Sequence, residues 1–124
     1  MTVNWFLWIL LSLLLLYFIR QSLPVKGVKN ISTAELKSML AETGHHNRQF
    51  VDVRTPMEFQ LSNLNAFQNL PIQDLRKQYT ELDKEKEVVL ICCSGSRSMQ
   101  AARILKNKGF TKLTNVAGGL NHWN

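Results

Sequence analysis

Val88-Val89-Leu90-Ile91 constrains the fold more than any other stretch of this chain. It is a continuous apolar, β-branched run, short for a buried helix and lacking the alternation of a strand with one wet face. Such a run predicts a strand buried on both faces, the habit of parallel sheets flanked by helices. Ser98 to Lys108 follows as a predicted helix, with Met99, Ala102 and Leu105 on one side and Gly109 as its stop. The same alternation recurs upstream. Ser32-Thr33-Ala34-Glu35 has the capping-box form, before a stripe of Leu36, Met39 and Leu40 that Gly44 closes. Phe50 to Val53 predicts a short buried strand, and Thr55-Pro56-Met57-Glu58 a helix start with Pro at the first position. Phe67 to Leu70 predicts a further strand ended by Pro71, Ile72 to Leu82 a helix, and Leu113 to Val116 the last strand. Strands alternating with helices imply an α/β domain on a mostly parallel sheet covered on both faces. With 124 residues there is room for one such domain.

Ahead of it, Trp5 to Ile19 is apolar except for Ser12 and has no polar face. Residues 1–23 are expected to form a transmembrane anchor, 24–30 a basic linker with Pro24 and Gly27, and 31–124 the domain. The apolar run alone rises only about 22 Å as a helix, against a hydrocarbon core of roughly 30 Å. Met1 to Asn4 and a snorkelling Arg20 are expected to supply the difference. Trp5 and Trp8 suit one interface, Tyr17 and Phe18 the other. A cleaved signal peptide would carry a basic start and a small-x-small cleavage site, and neither is present. Arg20, Lys26 and Lys29 all follow the apolar run, so the positive-inside rule predicts a single-pass cell-membrane protein with its C-terminal domain in the cytoplasm.

The net charge is +6, and no acidic side chain follows Glu87, whereas Arg97, Arg103, Lys106, Lys108 and Lys112 do. These cations are scattered and no aromatic residues interleave with them as a stacking platform, which argues against a nucleic-acid partner. The two cysteines, Cys92 and Cys93, are adjacent and cannot build a disulfide framework, which favours a reducing compartment. His45 and His46 have no cysteine nearby in sequence, and His122 stands near the end, so no metal site is expected.

The chemistry concentrates in Cys92-Cys93-Ser94-Gly95-Ser96-Arg97-Ser98, between the strongest strand and the next helix. In an open parallel sheet, ligands bind beyond the carboxyl ends of the strands. A helix N-terminus there offers unpaired N–H groups and a positive dipole end, which favour a thiolate over a thiol. Gly95 lets the backbone curl, the serines add hydroxyl donors, and the Arg97 fork suits an anion. Cys92 is the candidate nucleophile, with Cys93, Ser94, Gly95, Ser96 and Arg97 as the binding loop. The offsets of Cys93 to Gly95 and Arg97 do not fit a cradle opened by that residue, so its side chain is expected to point away. Asp52 and Arg54 are expected to be structural, and Glu58 a helix-start residue that also pairs with Arg54.

The run Ile91 to Ser98, ICCSGSRS, resembles the active-site loop of rhodanese-like domains, in which a cysteine opens a cradle of the form C-x-x-G-x-R. Val51 to Phe59 (VDVRTPMEF) is similar to that family's D-V-R-x-x-x-E-[FY] signature, Asn69-Leu70-Pro71 to its N-[IL]-P, and Gly118 to Trp123 to its closing G-G-x-x-x-W. The similarity spans roughly Lys29 to Trp123. It departs at Ser62-Asn63, where the family usually has Gly-His, and at Ser96, where the loop is often basic. The resemblance implies a rhodanese-like open five-stranded parallel sheet with helices on both faces. It also implies sulfur transfer from an anionic donor such as thiosulfate to a thiol or cyanide acceptor, through a Cys92 persulfide and without a cofactor. Two other readings stay open. One is a membrane-tethered binding or persulfide-carrier module without small-molecule turnover. The other is a cysteine-dependent phosphatase or arsenate reductase. The dual-specificity cell-cycle phosphatases that share the fold have five residues between Cys and Arg, whereas Cys93, Ser94, Gly95 and Ser96 make four here.

Overall fold

The structure, a computed structural model, describes residues 4–45 and 47–123, with the backbone alone at 21 and 22. Among these residues five strands form one parallel sheet: β1 (Val28–Ile31), β2 (Arg48–Asp52), β3 (Gln68–Asn69), β4 (Glu87–Ile91) and β5 (Leu113–Val116). Their order across the sheet is β1-β5-β4-β2-β3, which puts β4 in the middle. Val88, Val89, Leu90 and Ile91 are each 0% exposed, as a strand walled on both sides must be. At about 1.5–3 kcal/mol per buried large apolar side chain, this strand anchors the core.

The α-helices among the described residues are α1 (Trp5–Ser22), α2 (Thr33–Ala41), α3 (Pro56–Leu61), α4 (Ile72–Gln78) and α5 (Ser96–Asn107). Because strand side chains alternate, β4 feeds two separate cores. Val88 and Leu90 join Val51 and Leu113 under Leu75 of α4 and Ala101, Ala102 and Leu105 of α5. Val89 and Ile91 join Phe50, Phe67 and Val116 under Leu36 of α2, with Leu120 and Trp123 closing the edge. The Ser32 hydroxyl caps α2 by accepting the Glu35 N–H at 3.1 Å. Thr55 and Glu58 form the capping box that opens α3.

Several expectations shift. β1 lies largely inside the stretch assigned to the linker, because Val28 to Ile31 pair residue by residue with β5. Its middle residues are exposed, so no apolar run marks it. β3 shrinks to two residues. The helix expected over Ile72 to Leu82 ends at Gln78 and continues as a 3-10 turn, Tyr79–Glu81. α5 begins earlier than expected, at Ser96.

The expected transmembrane anchor is not supported: among the described residues, no helix is long and apolar enough to cross a membrane. The apolar part of α1 stops at Ile19, before Arg20, and the proposed extension through Met1 to Val3 lies outside the described residues, as does His46. α1 is nonetheless apolar and open on every side, its large side chains from Trp5 to Ile19 exposed by 46–68%.

Candidate active site

Register brings the site together. Asp52 at the end of β2 pairs with Ile91 at the end of β4 and with Asn69 of β3. The chain leaving β2 therefore runs beside the Cys92 loop. The Asn69 side-chain amide donates to the carbonyls of Asp52 and Arg54, at 3.0 and 2.9 Å, and holds that exit in place.

Cys92 follows β4 directly and is 1% exposed. The loop folds back over its sulfur: the Gly95 N–H reaches Cys92 Sγ at 3.0 Å, the Ser98 N–H at 3.4 Å and the Ser98 hydroxyl at 3.4 Å. Gly95 makes this possible with a φ of 96°, the left-handed conformation that a side chain resists. It is also the N-cap of α5, so the sulfur lies at the positive end of the longest helix in the domain. Ser98 is fully buried and donates in turn to Asn115 Oδ1. The Asn115 amide donates to Asn30 Oδ1 at 3.1 Å and to the Gly95 carbonyl at 3.4 Å. The cradle is thereby tied to β5 and β1. From below, the Leu120 and Asn121 N–H groups, each at 2.9 Å, take the carbonyls of Cys92 and Cys93. A Cβ on Gly119 would lie 2.3 Å from the Cys92 carbonyl oxygen, so only glycine admits this approach.

Cys93 sits in a different setting. Its thiol donates to Glu58 Oε2 at 3.3 Å and accepts from Arg97 Nη2 at 3.2 Å. Burial pushes this thiol's pKa up, and the Glu58 carboxylate adds to the effect, outweighing Arg97 and Arg54. Arg97 grips Glu58 with both terminal nitrogens, at 2.8 and 2.9 Å. That grip, followed by the Thr55 N–H, holds the Glu58 carboxyl well below the usual carboxylate range. The Arg97 guanidinium is correspondingly pushed above its ordinary value by Glu58. Beside them, Arg54 pairs with buried Asp52 at 2.7 Å and donates to the carbonyls of Glu58 and Ser62.

Of the residues singled out in the sequence, Cys92 and Gly95 meet at the sulfur, Arg97 and Cys93 meet at Glu58, and Ser94 and Ser96 stand exposed on the loop. Arg97, expected to fork an anion, has its fork on Glu58 instead. Glu58, expected beside Arg54, contacts that residue through its backbone carbonyl and Arg97 through its carboxylate. Asn115 escaped notice; the available signal was a polar residue in the middle of a strand whose four residues are all buried. Among the described residues no three His, Cys, Asp or Glu side chains gather as metal ligands. A cavity of about 410 Å³ lined by Lys26, Lys106, Phe110 and Leu113 opens where β5 begins, at the other end of the strands, and shares no residue with the cradle.

Comparison with known proteins agrees with this geometry. The family described as Rhodanese-like domain matches residues 32–124. A sulfurtransferase from Allochromatium vinosum is 32% identical over 96 residues, covering 77% of this chain and 88% of its own. The putative sulfur carrier protein YrkF of Bacillus subtilis is 36% identical over 73 residues, 59% of this chain. The chain spans 40% of the length of YrkF, and 64% of another Bacillus subtilis relative. Among solved structures, a rhodanese-like domain protein from Staphylococcus aureus superposes with a TM-score of 0.71 at 29% identity, covering 77% of this chain and 91% of that one.

Proposed function

We propose that this chain, which belongs to the rhodanese-like domain family, is a sulfurtransferase that carries sulfane sulfur on Cys92. The observation that carries the reading is the convergence of the Gly95 and Ser98 N–H groups on one buried sulfur. Donors fixed in advance around a developing anion stabilise it without reorganisation. In the first step, the Cys92 thiolate attacks the outer sulfur of the donor. The donor's S–S bond breaks, its remainder leaves with the electron pair (sulfite, when the donor is thiosulfate), and Cys92 holds a persulfide. In the second step a thiolate or cyanide attacks the outer sulfur, and the Cys92 thiolate is the leaving group. The cradle donors support the anion in the persulfide and in the thiolate alike.

Intact mass after incubation with thiosulfate and removal of excess donor tests this reading. Gain of one sulfur atom, lost again on adding cyanide with release of thiocyanate, is expected. A mass unchanged by every sulfane donor tried would overturn it.

For location, we propose that α1 attaches the domain to the cell membrane with the domain on the cytoplasmic side. The support is the exposed apolar surface of α1 and the cations Arg20, Lys26 and Lys29 that follow it. A membrane-impermeant thiol reagent is expected to spare both cysteines in intact cells and to label them after lysis. Labelling of intact cells would reverse the orientation.

A further inference from the structure

Resting on the reading that α1 attaches the domain to the membrane, we propose that the cleft between α1, α4 and α5 binds the phosphate of an anionic phospholipid. The site is separate from the Cys92 cradle, and a lipid held there turns the α4–α5 side of the domain toward the bilayer.

The cleft begins at a helix end. The Arg20 carbonyl lies in the last turn of α1, and the residue four places on, whose N–H would serve it, is Pro24. Arg103 of α5 supplies the missing donor, its Nη2 reaching that carbonyl at 3.3 Å. The Lys106 ammonium, almost one turn further along α5, donates to the Lys26 carbonyl in the segment that follows α1. These two bonds hold α5 against the end of α1. Between them and α4 opens a cavity of about 260 Å³, lined by Tyr17, Arg76, Gln100, Arg103, Ile104 and Asn107.

Two guanidiniums, two side-chain amides and a phenol give this cleft hydrogen-bond donors on every helix that borders it, and none of its residues is acidic. Arg76 is exposed and, among the described residues, has no carboxylate partner. α5 contains no acidic residue, so that helix brings no counter-charge. Asp74 of α4 stands two residues before Arg76, a spacing at which helical side chains do not face each other. Planar guanidinium forks match the oxygens of a phosphate.

The cleft's border on α1 is apolar. Leu13 and Leu14, four and three residues before Tyr17, lie on the same side of α1, and both are exposed. A free phosphate would use the polar half of this arrangement alone, whereas a phosphate that carries acyl chains uses both halves. Charge then selects among lipids. Two guanidiniums repel a cationic headgroup such as choline, and a glycerol headgroup leaves the phosphate charge uncompensated for them to meet.

The test mixes the full-length protein, in a mild non-ionic detergent, with phosphatidylglycerol or phosphatidylcholine of the same acyl chains and reads bound lipid by native mass spectrometry. One basic residue near an anionic lipid surface is worth about fivefold in binding, so two predict a preference for phosphatidylglycerol of about 25-fold, with one lipid per protein. Arg76→Gln leaves the α1 junction in place and should lower that preference about fivefold. Arg76→Gln combined with Arg103→Gln should bring the two lipids near parity. Sulfur loading of Cys92 should be unchanged in both variants, because neither arginine touches the cradle. Millimolar inorganic phosphate should leave the lipid bound. Parity in the wild type, a preference unmoved by either variant, or displacement by inorganic phosphate overturns the proposal while the attachment reading stands. Failure of the full-length protein to float with neutral phosphatidylcholine vesicles brings down that reading and this one together.

Discussion

Two sulfur atoms one residue apart occupy two unlike environments, and the difference separates chemistry from framing. Cys92 Sγ is met by two backbone N–H donors of the loop, at 3.0 and 3.4 Å, and lies 3.4 Å from the Ser98 hydroxyl oxygen. Cys93 Sγ is met by side chains alone, a carboxylate and a guanidinium bound to each other. The first setting aims backbone donors at its sulfur, whereas burial and the Glu58 carboxylate push the second thiol's pKa up. Alternation at a strand end produces this split: the residue that continues β4 turns into the cradle, and its neighbour turns toward α3. The most forceful way to break the comparison is to exchange each sulfur for oxygen. Cys92→Ser is expected to abolish sulfur gain by intact mass and thiocyanate formation from thiosulfate and cyanide. Cys93→Ser should keep most of both. Loss of activity in Cys93→Ser would mean that the two thiols work as a pair.

The two environments share a floor, the turn that donates to both cysteine carbonyls. Gly119 in that turn has φ 55°, and an added Cβ would meet the backbone of both cysteines. Gly119→Ala is therefore expected to cost about 2–4 kcal/mol of stability, measured by urea unfolding, and to disturb both sulfurs at once. A smaller probe touches only the Cys92 side. Ser98→Ala removes the hydroxyl oxygen that lies against the sulfur and leaves buried Asn115 Oδ1 without the donor that serves it. A loss of about 1–2 kcal/mol in stability and roughly tenfold in sulfur loading is expected, with the alkylation rate of Cys93 unchanged. If loading is untouched, the Ser98 hydroxyl supports the fold and not the anion.

The half of this comparison that rests on local signals was legible in the sequence. A doubly buried strand, a loop with glycine at the turn and a helix behind it place Cys92 at a helix N-terminus, and Val88 to Ser98 carry all three signals. The rest depends on pairings far apart in the chain. Glu58 and Arg97 are separated by 39 residues, and only the register of β2 against β4 brings them together. Nothing in the spacing of Arg54 and Glu58 says which arginine takes the carboxylate. β1 was hidden for a related reason: an edge strand with exposed middle residues has no apolar run, and its partner β5 lies about 85 residues downstream. The N-terminal segment shows the reverse failing. A strong apolar signal predicted a full span, yet length decides spanning, and among the described residues no helix has the length and apolarity to cross.

The smallest expected effect is in pH, and it sharpens the contrast from the Cys93 side. Glu58 has a folded-state pKa lowered below its unfolded value, so its ion pair adds stability above about pH 4.3 that is lost as pH falls further. Both partners are about one-third exposed, at 35% and 33%, so solvent screening keeps the contribution to roughly 1 kcal/mol or less. Cys93 has the opposite sign. Its pKa is raised on folding, so its contribution is present below about pH 8.5 and declines as pH rises through the folded-state value. Urea midpoints across acid and alkaline pH should therefore fall at both ends. Glu58→Gln should flatten the acid limb, since the amide cannot titrate, and should lessen the alkaline one, because the carboxylate that opposes the Cys93 thiolate is gone. Cys93→Ser should flatten the alkaline limb and leave most of the acid one, because the Arg97 grip on Glu58 survives it. An alkaline limb that persists in Cys93→Ser would assign that titration to another group and remove the charge coupling between Cys93 and Glu58.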